Sequence, residues 1–173
     1  SGDAPALIEL SIDAEGPVYV QQQIALTVRL YSDQRVVDGT LDPLRIKGAV
    51  VEPLGLERRY AVSRNGRQYR VSERRYAIAA ERRGQLVVPA LDFRGKLAPL
   101  PSGSGSVQPF RVSSEPLEID IQPPAMAGDH WIPAQQLTLH DSWAGRSPTP
   151  RRGEPIDRVI TLQATGLNGS QLP

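Results

Sequence analysis

The sequence predicts an all-β protein, on three observations. Sixteen prolines and fifteen glycines spread over 173 residues leave few windows where a helix could persist. Short segments alternate apolar and polar residues at the period of a half-buried strand. Glycine, proline and one Asn-Gly pair punctuate those segments where turns are needed. Roughly seven or eight short strands over about 120 residues make an immunoglobulin-like β-sandwich the expected architecture, with a small barrel as runner-up.

Leu7 to Ile12 reads as a first strand, closed by Gly16-Pro17. From Gln23 to Tyr31, Ile24, Leu26, Val28 and Leu30 alternate with Ala25, Thr27, Arg29 and Tyr31, so the even positions are expected to face the core. Residues 44 to 56 carry apolar runs broken by Gly48, Pro53 and Gly55, which suits a bulged or edge strand. Asn65-Gly66 then separates Leu56 to Ser63 from Arg67 to Ala80. Both residues tolerate positive φ, so a type I′ hairpin is expected there.

The second arm changes parity between Tyr69 and Val71 on one side and Tyr76 and Ile78 on the other. If Tyr60, Tyr69, Val71, Tyr76 and Ile78 are all core, a bulge or change of sheet near Ser72 to Arg75 must reconcile them. Gly84 turns the chain into Leu86-Val87-Val88, and Pro89 interrupts it before Leu91 and Phe93. Gly95 to Gln108, including Ser102 to Ser106, reads as a mobile loop. Leu117, Ile119 and Ile121 form the last strand of the unit.

The expected organisation is a sandwich over residues 1–122, a stiff Pro-rich linker over 123–130, and the N-terminal part of a second immunoglobulin-like module over 131–173. Gln21 to Leu30 and Gly153 to Leu162 share a polar entry followed by a strand of Ile, Val, Thr and Leu, a weak internal repeat. The later strands, from about Asp129, are then the beginning of a truncated sandwich with unpaired edges. Ser1-Gly2 reads as a cloning remnant. No basic-then-apolar signal sequence and no apolar run of about 18 residues occurs, so export and anchoring segments are expected outside this chain.

Composition narrows the chemistry. Twenty basic and nineteen acidic residues give a net charge of +1, so no global field favours nucleic acid or an anionic membrane. The absence of cysteine excludes thiolate catalysis, disulfides and cysteine-ligated zinc, and is compatible with either side of a bacterial membrane. Two histidines are present. Asp129-His130 offers two metal ligands where three or four must converge. His140-Asp141-Ser142 has the residue types of a hydrolase triad, but three successive residues of an extended segment alternate sides. No catalytic, metal or cofactor-binding residue is assigned, and Ser102 to Ser106 lacks the lysine and the strand-to-helix setting of a phosphate loop.

Nine arginines, Arg58, Arg59, Arg64, Arg67, Arg70, Arg74, Arg75, Arg82 and Arg83, lie between Glu57 and Gly84, interleaved with Tyr60, Tyr69 and Tyr76. Arginine and aromatics on a β surface suit single-stranded nucleic acid, so the hairpin over 57–83 is one candidate site. Glu57, Glu73 and Glu81 among them favour cross-strand ion pairs on a solvated face, or a surface for a protein partner. Arg59, Arg70 and Arg75 are the expected outward contacts; Asn65, Gly66 and Gly84 are the expected turn positions. A carbohydrate-binding sandwich is a further alternative, with Trp131 and Trp143 a poor aromatic platform.

Several segments resemble the BatD family of aerotolerance-operon proteins: Val18 to Tyr31, Arg64 to Val71 around Asn65-Gly66, Glu73 to Ile78, and Gly84 to Pro89. Downstream, Trp131 to Ala134, Leu137 to Leu139, Ser142-Trp143, Gly153 to Pro155, and Gly166-Leu167 through Gln171 to Pro173 resemble the family's next module. The resemblance covers nearly the whole chain. It implies an internal piece of an envelope protein whose immunoglobulin-like modules face the periplasm and whose membrane segment lies near the C-terminus. It further implies neighbouring membrane proteins with von Willebrand factor A domains, a MoxR-type AAA+ ATPase, and a link to oxygen or stress tolerance, with no catalytic residues and no cofactor.

Overall fold

A computed structural model describes residues 5–99, 105–125, 132–144, 152–153 and 156–167. Among them the chain forms β1 (Ala6–Asp13), β2 (Val18–Tyr19), β3 (Gln23–Ser32), β4 (Val36–Leu41), β5 (Ala49–Pro53) and β6 (Arg58–Arg64). There follow β7 (Arg67–Ala80), β8 (Gly84–Val88), β9 (Asp92–Leu97), β10 (Gln108–Ser113), β11 (Leu117–Gln122), β12 (Gln136–Ala144) and β13 (Asp157–Thr165). The protein is all-β, and its first eleven strands form a sandwich.

One layer has the order β1-β3-β7-β5, with β6 also paired to β7. The other is built from β4-β9-β10 and β8-β11-β2, where β2 runs parallel to β11. The core lies between them. Ile24, Leu26, Ile78 and Ala80 of the first layer meet Val18, Leu86, Val88, Ile119 and Ile121 of the second. A second cluster joins Ile8 and Val28 to Leu91 and Phe93. Leu26, Ile78 and Val88 are fully buried, and each contributes about 1.5–3 kcal/mol through its apolar area.

The even positions of β3 face this core as the alternation requires, with Ile24, Leu26 and Val28 buried and Leu30 half-buried. Asn65 and Gly66, at φ of 54° and 74°, form the two-residue turn that sets Arg64 opposite Arg67. Gly84, at φ 111°, opens β8. Among the described residues β5 pairs only with β7 and is an edge strand, so Pro53 at its end removes no interior hydrogen bond. β5 and β6 share one edge of β7 in succession.

β8–β9 and β10–β11 are the arms of one long hairpin broken in the middle. Ser113 pairs with Asp92 and Leu117 with Val88, four residues on along each arm, so the register is the same on both sides of the break. That register sets Pro89 opposite Pro116, and two residues without N–H cannot continue the ladder. Ser114 repairs the step: its N–H donates to the Leu91 carbonyl at 2.9 Å, and its Oγ accepts from the Leu91 N–H at 2.9 Å. Gly39 and Gly95, opposite each other on β4 and β9, leave room for the Phe93 ring; a Cβ on Gly39 would lie 2.2 Å from its Cζ.

Two expectations are corrected. No bulge interrupts β7 near Ser72 to Arg75: its pairing with β3 holds one register from Gln23 and Ala79 to Ser32 and Arg70. Tyr76 and Ile78 therefore face the core, while Tyr69 and Val71 point to the outer face. Val71 is buried there all the same, because Tyr31 and Tyr60 flank it from the neighbouring strands. Gly95 to Leu97 and Gln108, read as loop, belong to β9 and β10, and Leu97 is buried. Ser102 to Ser104 lie outside the described residues.

β12 and β13 pair with each other over nine residues each. Leu137, Leu139 and Trp143 share one face with Ile160 and Leu162, and Thr138, His140 and Ser142 share the other with Thr161 and Gln163. Asp129, His130 and Trp131 lie outside the described residues.

Candidate functional site

The β6–β7 hairpin divides its arginines between two faces because side chains alternate along a strand. Arg58, Tyr60, Val62, Arg64, Arg67, Tyr69, Val71, Glu73 and Arg75 fall on the outer face, beside Glu9, Ser11, Thr27, Arg29 and Tyr31. Arg59, Ala61, Arg70, Ser72 and Arg74 fall on the inner side, near an open end of the sandwich.

Glu73 organises the outer face. It is 6% exposed, which an unpaired carboxylate could not tolerate. The Tyr60 hydroxyl donates to its Oε2 at 2.8 Å, the Arg29 Nε donates to the same oxygen at 2.9 Å, and Arg58 lies 3.9 Å from Oε1. Arg29 also donates to Ser11 Oγ at 3.0 Å. The Tyr60 hydrogen bond and then Arg29 hold the Glu73 carboxyl below the usual carboxylate range, against a burial that pushes it up. Further along, Arg64 bonds Glu9 at 2.5 Å and sits over the Tyr31 ring, and Arg67 bonds Asp33 at 2.6 Å. Tyr31 and Tyr69 meet edge to face with centroids 6.4 Å apart.

The inner side opens as a cleft of about 530 Å³ between β4 and β6. Leu30, Val36 and Phe93 supply apolar lining, and Arg59, Arg70 and Arg74 supply cationic lining. Glu57 bridges two of these cations, to Arg59 Nε at 2.7 Å and Arg74 Nη2 at 2.9 Å. Burial raises the Glu57 pKa, but hydrogen bonds from Arg59, Arg74 and Ser72 outweigh it and the net shift is downward. Arg70 makes no ion pair with any described residue.

The three arginines expected to act together are thus split. Arg59 and Arg70 line the cleft, and Arg75 stands on the opposite face beside Thr27 and Glu73. One flat partner cannot touch all three at once. Sequence reasoning expected Glu73 in a cross-strand ion pair, which Arg29 and Arg58 provide, but missed Tyr60 as its hydrogen-bond partner because it set Tyr60 in the core. The available signal was register: with β7 unbroken, Arg58 and Glu73 are cross-strand neighbours.

Five of the nine hairpin arginines, Arg58, Arg59, Arg64, Arg67 and Arg74, are held by carboxylates. The four carboxylates Glu9, Asp33, Glu57 and Glu73 thus engage five of the cations that a nucleic-acid backbone would otherwise use. In the second hairpin, Asp141 points away from His140 and Ser142 and accepts from Arg158 at 3.0 and 2.8 Å, so these three residues do not converge. Among the described residues, no three His, Asp or Glu side chains gather as metal ligands, and no helix is long and apolar enough to cross a membrane. Trp143 is covered on one ring face by the Arg158 guanidinium at 4.9 Å.

No protein-family model, no curated protein and no solved structure matches this chain.

Proposed function

We propose that this chain is a non-catalytic protein-interaction module of a BatD-type envelope protein, standing on the periplasmic side of the bacterial inner membrane. Its partners in this reading are membrane proteins with von Willebrand factor A domains and, indirectly, a MoxR-type AAA+ ATPase, in a system serving aerotolerance or stress tolerance. The sequence segments that resemble the family supply the setting. Strand order supports an immunoglobulin-like identity for the sandwich. With the two-residue β2 left out of the count, and β5 and β6, β8 and β9, and β10 and β11 each taken as one interrupted strand, the first, second, fifth and fourth strands face the third, sixth and seventh.

The observation that carries an interaction role is the cleft between β4 and β6. It combines apolar walls with the exposed guanidinium of Arg70, which has no ion pair among the described residues, and with Arg59, whose side chain is 81% exposed despite its contact with Glu57. Arginine in such a place offers a planar fork to a partner's carboxylates. Single-stranded nucleic acid is the weaker reading because most of the hairpin's cations already have acidic partners.

The test is capture from detergent-solubilised bacterial envelope with this chain as bait. Arg59→Glu with Arg70→Glu is expected to lose a von Willebrand-domain partner while the variant keeps its fold by circular dichroism. Arg75→Glu, on the other face, is expected to retain it. Undiminished capture by the cleft variant would remove the cleft from the interaction.

A further inference from the structure

β6 is the outer strand of its layer at this end: all seven of its residues pair with β7, and none pairs with another strand among the described residues. Its opposite side is an open row of N–H and C=O groups. The seven pairs keep one register, and no proline or glycine interrupts them, so that row has the even spacing a further strand requires. β4, across the cleft, lacks this regularity because its register shifts between Val36 and Asp38.

The edge is selective by charge. Arg58 and Arg59 are neighbours along the strand, so they project to opposite faces; each has one carboxylate neighbour, Glu73 at 3.9 Å and Glu57 at 2.7 Å, yet their side chains stay 71% and 81% exposed, with guanidinium N–H groups left for a further acid. Arg64 marks the other end. A second copy of β6 laid antiparallel on the edge would bring Arg58 and Arg59 toward the partner's Arg64, and like charges across strands repel. A strand bearing carboxylates meets the opposite condition. Ala61 and Val62, between the charged ends, leave space for apolar side chains, and the cleft-facing ones would lie along Leu30, Val36 and Phe93.

We infer that the β6 edge takes up an extended segment of a partner protein by strand addition, and that this segment carries two consecutive acidic residues opposite Arg58 and Arg59, flanked by apolar and small residues opposite Ala61 and Val62. Consecutive acids are required because the two guanidinium groups stand on opposite sides of the sheet. Backbone pairing supplies the attachment, and the acid pair fixes its register. This rests on the proposed interaction role and names the chemistry of its partner.

The test uses the whole chain and a fluorescently labelled, end-capped peptide, Val-Thr-Asp-Glu-Val-Thr-Val, beside its Lys-Lys counterpart. The Asp-Glu peptide is expected to bind and to slow exchange of β6 backbone amides, and the Lys-Lys peptide to do neither. Arg58→Glu with Arg59→Glu should weaken binding at least ~10-fold, whereas Arg82→Glu with Arg83→Glu, an equal charge change at the β7–β8 turn, should alter it less than ~2-fold. Absence of binding at millimolar peptide, or equal losses in the two double variants, overturns the inference. If the peptide fails while the envelope partner is still captured, the edge assignment falls and the interaction role stands. Peptide binding without envelope capture leaves the edge and removes the proposed partner.

Discussion

Glu73 shows how one side chain ties the hairpin to the sheet beneath it. Its carboxylate is buried on a face that has no opposing layer among the described residues, and it stays ionised because Tyr60, Arg29 and Arg58 surround it. A group whose folded-state pKa is lowered adds stability above its unfolded value and loses it as the pH falls through the folded one. The Glu73 contribution should therefore be complete above the ordinary glutamate value of 4.5 and fade in more acidic solution. Glu73→Gln is expected to cost about 1.5 kcal/mol at pH 7, the worth of a charge-assisted hydrogen bond. The gap between wild type and variant in urea unfolding should narrow by pH 3; a gap that is constant with pH would assign the cost to packing. Two glycines make a second contrast. Gly66 has open space around its missing Cβ but a φ of 74°, whereas Gly39 is filled by the Phe93 ring. Each alanine substitution is expected to cost about 1–3 kcal/mol, for backbone strain in one and overpacking in the other. Phe93→Leu should rescue part of the Gly39→Ala loss in a double-mutant cycle and none of the Gly66→Ala loss. Equal rescue of both would mean the two sites share one cause.

At the scale of elements, what was legible in the sequence followed from local rules. Period-two alternation in β3 and β11 fixed their buried faces, and Asn65-Gly66 fixed a turn that needs two positive φ values. The errors arose where apolar character was equated with the core. Tyr69 and Val71 are out of phase with Tyr76 and Ile78, and a bulge was the cheapest repair if all four had to face inward. The unbroken register of β3 with β7 removes that need, because tyrosines can cover apolar neighbours on an outer face while their hydroxyls reach carboxylates or water. The same error dispersed the candidate site, since assigning Arg59, Arg70 and Arg75 to one surface depended on the bulge. Pro89 reads alone as an irregularity, with nothing local to tie it to Pro116. Their opposition across one hairpin follows only from pairing over more than twenty residues, which no local pattern encodes.

At the scale of the whole molecule, the two parts of the chain are stabilised to different degrees. β1 to β11 bury two facing clusters, whereas β12 and β13 form a two-stranded ribbon with large apolar side chains in the open: Leu139 is 65% exposed, Trp143 63% and Ile160 54%. A lone hairpin is marginal in water, and the Asp141–Arg158 pair with Trp143 beneath it is a surface contact of modest worth. The ribbon should therefore open independently of the sandwich. Backbone amides of β12 and β13 are expected to exchange with protection below about 100-fold, while those of β3 and β7 exchange only through global unfolding. Removing residues 126–173 should leave the urea midpoint of the sandwich unchanged within error, because among the described residues β12 and β13 pair with each other and with no strand of the sandwich. A lowered midpoint, or β12 amides as protected as those of β3, would mean that the apolar face of the ribbon is packed against the sandwich in solution and that the chain unfolds as one cooperative unit.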